Sequence, residues 1–352
     1  MMNLRFGLSL LFCLSLTISG FSQENSLPAI EKKLAMLADD ILLHDSLSFK
    51  IQQNKEFTSL LINTLKRPES FTYAFDSLRT ISILEPEDKS FRIFTWHIVD
   101  QNYREYFGDQ YYYYFGLVQR KYLPTSGPVE YVVIPLIEMP TIIKNIENTL
   151  LDNNNWLGAQ YYPPKNINGL PKHTLKYYGQ KLVKGKPQKI KQDFYVLLGW
   201  NGNDKKSNYK IVEVMTFDPK KKDKVIFGAD VFYFDIIPKF RGFFKYSDNA
   251  PFTLNYGYVK SGPFKLFKKP MIIYDHLAAP KQKTMKEIWE YGPDGSYDAL
   301  SFFKRGGYFE WYRNVELAEK YNNKLKQRQL RELREGEQNK IKEAGIRLGS
   351  NQ

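Results

Sequence analysis

The chemistry open to this chain rests on four histidines, a few closely spaced carboxylates and a large set of aromatic rings. His44, His97, His173 and His276 stand far apart, with no H-x-H or H-x-x-x-H spacing, so no strand or helix face offers two imidazoles to one zinc ion. His97 follows Trp96 in a strand-like run and reads as a packed ring. Asp275-His276 is a candidate acid/base pair, since a carboxylate beside an imidazole raises its pKa. On a strand, however, adjacent side chains point to opposite faces, which separates the two. Asp294-Gly295-Ser296-Tyr297-Asp298 spaces side-chain oxygens two residues apart, a pattern that suits a hard cation such as calcium. An EF-hand loop would continue with glycine where Ala299 stands and then with a glutamate that is missing. The same residues also read as an Asp-Gly turn joining strands Lys286–Trp289 and Tyr297–Phe303. Trp200-Asn201-Gly202-Asn203-Asp204 has the same double reading, as a ligand loop or an Asn-Gly hairpin. The candidate metal ligands are therefore Asp294, Ser296 and Asp298. The candidate binding residues are Trp200, Asn203, Asp204, Asp275 and His276. No catalytic residue is assigned, and no cofactor is implied beyond calcium.

Several chemistries are excluded by what is missing. There is no G-x-S-x-G nucleophile elbow. No G-x-x-x-x-G-K-[ST] or G-x-G-x-x-G run offers a phosphate cradle. Cys13, the only cysteine, falls in the apolar leader, so the chain beyond it has neither thiol catalysis nor disulfides. What remains is binding chemistry. Tyr111 to Phe115, Tyr161-Tyr162, Tyr177-Tyr178, Trp200, Trp289 and Trp311 could stack on sugars or peptides, although core packing accounts for the same rings. Lys plus Arg number 51 against 38 Asp plus Glu, a formal charge of +13. The lysines cluster between Lys172 and Lys191, at Lys220-Lys221-Lys222, and at Lys265, Lys268 and Lys269, all in predicted loops. No nucleic-acid module accompanies them, so the expected attraction is to anionic envelope material and not to nucleic acid.

These residues need a scaffold, and the pattern supplies one. At 352 residues, 43% hydrophobic and 25% charged, the composition is globular, and 16% aromatic content favours β-structure. Ile30, Leu34, Leu37 and Ile41, with Ala38 and Leu42 widening the stripe, predict a helix over Leu27–Leu43. Phe57, Leu61 and Leu65 predict a second helix, about Ile51 to Leu65, closed by Pro68. Beyond Phe71 the period changes to short aromatic and β-branched runs separated by turn residues, among them Phe91–Val99, Tyr209–Phe217 and Met271–Tyr274. One short helix, Ile142 to Leu151, is expected to interrupt them. A charged tail begins at Val315 as a helix striped by Leu317, Tyr321 and Leu325. The expected class is mainly β (α+β), an antiparallel multi-strand meander forming a sandwich, barrel or propeller-like body, with an N-terminal helical hairpin and a C-terminal helix.

The start of the chain reads as an address. A basic opening, Met1 to Arg5, leads into the apolar run Phe6 to Gly20, and small residues Gly20 and Ser22 precede Gln23, as in a secretory signal peptide. No later stretch approaches the ~20 apolar residues of a membrane helix, so an integral membrane protein is not expected. The organisation expected is 1–22 signal peptide, 23–70 helical lead, 71–310 β-rich domain and 311–352 charged helical tail. The compartment expected is the periplasm, with the cell surface or secretion as alternatives.

Five separated motifs carry a resemblance. SFTYAFDSLRTISILEPEDKSFRIFTW (Ser70–Trp96), YVLLGWNGND (Tyr195–Asp204), KIVEVMTFD (Lys210–Asp218), IIYDHLAAP (Ile272–Pro280) and YGPDGSYDALSFFKRG (Tyr291–Gly306) together resemble an uncharacterised secreted family of Bacteroidota. The resemblance covers about residues 45 to 310. It implies a signal peptide and a helical lead, and carries no activity and no functional residues. The chain departs from that pattern at Ala74, in a longer and more basic Phe252–Lys269, and in the tail after Val315. The expectation drawn from all of this is a non-enzymatic extracytoplasmic binding or structural protein of the bacterial cell envelope, engaging an envelope polymer or a protein partner. The alternatives are a carboxylate-dependent glycan or ester hydrolase and a subunit of an envelope secretion or motility assembly.

Overall fold

The structure, a computed structural model, describes residues 25–102, 111–139, 141, 144–183, 186–261, 267–279 and 291–318, with side chains 175–190, 261, 267 and 268 left out. The expected signal peptide lies outside these residues, as do strand Lys286–Trp289 and the tail beyond Ala318. The chain divides into two compact units. One holds the residues up to Glu85 together with Lys89–Glu138, and the other holds Pro86–Asp88 and the residues from Met139. The division at Glu138 falls inside the segment 71–310 expected as one β-rich domain.

The first unit is a helical hairpin on a four-stranded sheet. Helix α1 (Leu27–Leu43) and helix α2 (Leu47–Leu65) are followed by β1 (Ser82–Leu84), β2 (Phe91–Val99), β3 (Tyr112–Tyr122) and β4 (Glu130–Leu136). The strands form an antiparallel meander in sequence order. The Ser46 hydroxyl caps α2 by accepting from the Phe49 amide, so this helix begins four residues earlier than the apolar stripe alone indicates. Leu34, Leu37, Ala38 and Ile41 of α1 and Phe57, Leu61 and Leu65 of α2 are buried against Phe94, Trp96, Ile98 and Leu117 of the sheet. Leu42, expected to widen the stripe, is 49% exposed. On β3 the alternation places Tyr113 and Phe115 against this helical core, whereas Tyr112 and Tyr114 share the other face with His97.

The second unit is a two-sheet sandwich. Its strands are β5 (Leu151–Asp152), β6 (Gln160–Tyr161), β7 (Lys172–Val183), β8 (Lys186–Asn201), β9 (Ser207–Phe217), β10 (Val225–Phe227), β11 (Phe232–Tyr233), β12 (Arg241–Ser247), β13 (Leu254–Ser261), β14 (Phe267–Ala278), β15 (Gly292–Phe303) and β16 (Tyr308–Tyr312). Seven of them form one sheet with β8 and β9 at its centre, and five form the other in the order β11-β16-β15-β14-β13. The inward rows Phe194, Val196, Leu198 and Val212, Val214 of the first sheet bury against Leu254, Tyr256, Ile272, Tyr274 and Leu300 of the second. The fold is thus mainly β with two α-helices, the strands almost all antiparallel, and no sheet of described residues closes into a barrel.

Four expectations are corrected. The lysine-rich segment Lys172–Lys191 is, in its described residues, no loop but most of the antiparallel pairing of β7 with β8, and Lys268 and Lys269 lie in β14. Cross-strand pairing overrides a composition that reads as solvent-exposed turn. Of the helix expected over Ile142 to Leu151, residues 142 and 143 lie outside the described residues, and the rest holds a 3₁₀ turn at Ile146–Asn148 followed by β5. Asn145 starts it in the left-handed region (φ 63°), and the Arg241 guanidinium takes the carbonyls of Ile146 and Thr149, which a continuing helix would use itself. Asp294-Gly295 is no hairpin turn, because β15 begins at Gly292 and pairs directly with β14. It forms instead a bulge between Asp275–Tyr297 and Leu277–Pro293, with Gly295 at φ 90° supplying the conformation other residues resist. The chain after Val315 does not start as a helix, since Leu317 bridges Val259 and the Ala318 amide bonds the Tyr258 carbonyl.

Candidate functional site

Both candidate sites arise where the inward rows of the sandwich run out of apolar residues. Phe194, Val196, Leu198 and Trp200 share one face of β8, and the first three are core. Trp200, paired with Lys210 across the sheet, is only half buried and lines an open cleft of about 660 Å³. The same cleft is lined by Tyr162, Lys165, Lys210, Asn208, Tyr246, Asp248 and the segment Ala250–Asn255. Its floor is laced by Tyr162, whose hydroxyl donates to the Leu254 carbonyl at 2.9 Å, and by the Lys165 amide, which donates to Asn255 Oδ1 at 2.6 Å. Lys210 Nζ sits 4.5 Å from the centre of the Tyr162 ring, a cation–π contact that flattens the ammonium stem against the ring. Asn208 Nδ2 donates to Asp248 Oδ1 at 2.7 Å, fixing amide and carboxylate together on one wall. Indole and phenol faces beside fixed amide, carboxylate and ammonium groups match a polar ligand that also has a flat apolar face.

Asn203 and Asp204 stand apart from this cleft. They build the β8–β9 turn themselves: Asn203 adopts φ 46°, its side-chain amide donates to Asp204 and Ser207, and Asp204 Oδ1 accepts the amides of Lys206 and Ser207. The loop is longer than a two-residue Asn-Gly hairpin, and its carboxylate is spent on holding it.

The second site lies on the facing sheet. Asp275 and His276 point apart, as strand geometry requires. Asp275 is buried and accepts the Thr253 amide at 2.5 Å, which ties β14 to a residue lining the cleft. His276 continues the inward row Ile272, Tyr274 to the open end of the sandwich, where Nδ1 lies 3.2 Å from Asp298 Oδ2 on β15. Asp298 is buried, accepting Trp311 Nε1 on the same oxygen at 3.3 Å and the Asn314 amide on Oδ1 at 3.1 Å. Asp294 is exposed, and its Oδ1 accepts the Ser296 amide and hydroxyl at 2.9 and 2.7 Å. These bonds to Ser296, with His276 nearby, hold the Asp294 carboxyl below its ordinary pKa. Asp294, Ser296 and Asp298 are therefore near in sequence but differently placed, two at an exposed bulge and one in the protein interior. Among the described residues no group of three histidine or acidic side chains is placed to hold a metal ion.

The remaining aromatics divide by burial. Tyr161 is fully buried, its hydroxyl bonded to Glu213 and Trp156, whereas its neighbour Tyr162 enters the cleft. The side chains of Tyr177 and Tyr178, and Trp289, lie outside the described residues. Lys210, Asn208 and Asp248 escaped the sequence reading. The usable signal for Lys210 and Asn208 was polar residues continuing the apolar row Val212, Val214 along β9. Asp248 lies in a turn and gave none. No family model, curated protein or solved structure matches this chain.

Proposed function

We propose that this protein is a non-catalytic binding protein of the bacterial cell envelope, acting outside the cytoplasm and holding a polar, ring-bearing polymer in the Trp200 cleft. The observation that supports this reading is the cleft itself, which sets an indole and a phenol beside Lys165, Lys210, Asn208 and Asp248 at the end of a rigid sandwich. Sugar rings present this combination of flat C–H faces and hydroxyls, and an open cleft admits a chain that extends past both ends. The leader-like first 22 residues and the resemblance to secreted Bacteroidota proteins support the compartment. The high net positive charge suits an anionic surrounding.

The test is affinity electrophoresis of the chain from Gln23 through gels containing soluble cell-wall polysaccharide or peptidoglycan fragments. Retention is expected, and Trp200→Ala should weaken it about tenfold, the worth of one stacking contact. Retention that ignores Trp200→Ala, or none at all, overturns the reading. Release of reducing ends from the retained polymer would make the protein a hydrolase instead.

A further inference from the structure

A further cavity opens at the free edge of the five-stranded sheet, where β11 is the last strand. It measures about 440 Å³ and is lined by Tyr233, Phe234, Asp235, Tyr308, Glu310 and Trp311, none of which lines the Trp200 cleft. The parallel pairing of β11 with β16 sets Tyr233 beside Glu310, and strand alternation keeps Tyr308 and Tyr312 on the same face of β16 as Glu310. The Tyr233 and Tyr308 rings lie 4.8 Å apart, and the Tyr312 hydroxyl donates to Glu310 Oε2 at 3.0 Å. Phe234 and Trp311, edge to face at 6.4 Å, complete the lining. Four aromatic rings and two carboxylates thus surround one space.

The carboxylates of this cavity have no counter-charge within it. Among the described residues neither Asp235 nor Glu310 forms an ion pair, and Asp235 is exposed and makes no hydrogen bond. Two basic groups stand near the rings. Lys239 Nζ is 5.8 Å from the centre of Phe234 and pairs with Glu147 at 2.8 Å, and the Arg313 guanidinium lies 4.2 Å from the centre of Trp311. Neither residue lines the cavity, so in a chain of formal charge +13 its charged lining is acidic alone. We infer that the cavity binds an alkylammonium group. Ring faces and carboxylates attract the same sign of charge, and the N–H bonds of a primary amine would donate to the carboxylate oxygens. Ile236 and Ile237 follow Asp235 on the same loop, 88% and 76% exposed, and offer apolar surface to the carbon chain that carries the nitrogen. An oxyanion is repelled by both carboxylates. A divalent metal ion would meet only two carboxylates and would shed water among rings that supply no oxygen ligands beyond phenols.

The site is separate from the cleft reading and is tested separately. The indole 1H–15N signal of Trp311, assigned with Trp311→Phe, is followed by NMR in the full chain from Gln23 at constant pH and ionic strength. Butylammonium chloride is titrated in one series and tetramethylammonium chloride in another. Saturable movement is expected, with Kd of about 1–20 mM. Saturation by either cation supports the site, and the tighter of the two tells whether the carboxylates or the rings dominate. Asp235→Asn, at an exposed residue without partners, and Glu310→Gln should each weaken binding about three- to fivefold, and the double variant more. The proposal fails if neither cation gives saturable movement up to about 100 mM, or if the double variant titrates like the parent chain. It also fails if calcium chloride or methyl glucoside saturates the same signal more tightly than either ammonium, which would make this a metal or a sugar site. Trp200→Ala should leave these titrations unchanged while weakening polymer retention, so one reading can fall without the other.

Discussion

Each unit buries an arginine, and the two solve the same electrostatic problem differently. Arg92 on β2 is met by neutral acceptors only: Gln119 Oε1 and the carbonyls of Ser70 and Tyr73. Burial, with no carboxylate in hydrogen-bond contact, pushes its guanidinium down to about 10. Arg241 on β12 is fully buried against Glu213 at 3.0 Å, and three further N–H groups reach the carbonyls of Ile146, Thr149 and Phe227. Glu213 is itself shared with Tyr161, whose hydroxyl receives Trp156 Nε1 at 2.9 Å. The first arrangement joins the end of the helical lead to its sheet. The second nails the loop before β5 onto the sandwich. The contrast shows that a buried cation can be accommodated by neutral acceptors and the ring faces of Phe71, Phe75 and Phe94, and that adding a carboxylate makes each partner depend on the other.

That dependence can be broken. Arg241→Met leaves Glu213 as an unpaired buried charge and should lower unfolding free energy by about 3–5 kcal/mol, the largest effect expected in the molecule. Chemical denaturation measures it, and adding Glu213→Leu should recover most of the loss. A single variant no worse than 1 kcal/mol, by the same denaturation, would mean the pair is not mutually dependent. His173 offers a third solution, a titratable ring buried uncharged. It stacks on Phe302 at 3.9 Å with Phe194 and Phe309 close by, and Nε2 has no partner among the described residues. Burial, helped by the charge of Lys304, pushes its pKa down to about 4. The unfolded chain therefore takes up the proton first. The contribution of His173 to stability is complete above about pH 6.5, falls by about 3 kcal/mol as pH drops to about 4, and does not change further below that. His173→Phe should remove this dependence, and an unchanged pH profile would contradict the burial. Arg92→Met comes last. It strands only neutral acceptors, so about 1–3 kcal/mol is expected, clearly less than for Arg241. Equal losses would erase the distinction between the two clamps.

Much of the scaffold was legible in the sequence because apolar periodicity reports burial. Helix α1 and strand β2 have the limits the pattern indicates, and Ser46 extends α2 by a cap rather than by a stripe. The failures have a common cause. The pairing of β7 with β8 and the lysines of β14 were hidden because strand pairing through the backbone leaves no trace in side-chain hydropathy. The candidate sites were partly legible. Trp200 and His276 drew notice by type, but what surrounds them comes from other segments: Tyr162 and Lys210 for one, Asp298 for the other. Register across strands assembles these groups, and a single sequence does not display register. The adjacency of Asp275 and His276 was, for the same reason, a weaker guide than the side-chain contact between His276 on β14 and Asp298 on β15.

The parallel pairing of β11 with β16 has a consequence in time. Phe232 and Tyr233 leave the chain between strands of the larger sheet, yet their hydrogen-bonding partners are Phe309 and Glu310 near the end of the sandwich. The second sheet therefore lacks its last edge until that distant segment has been synthesised and delivered. Such long-range closure slows folding, because the ordering entropy of the intervening chain is spent before the contact returns anything. A nascent chain would thus stay incompletely folded until its sandwich-forming length had emerged.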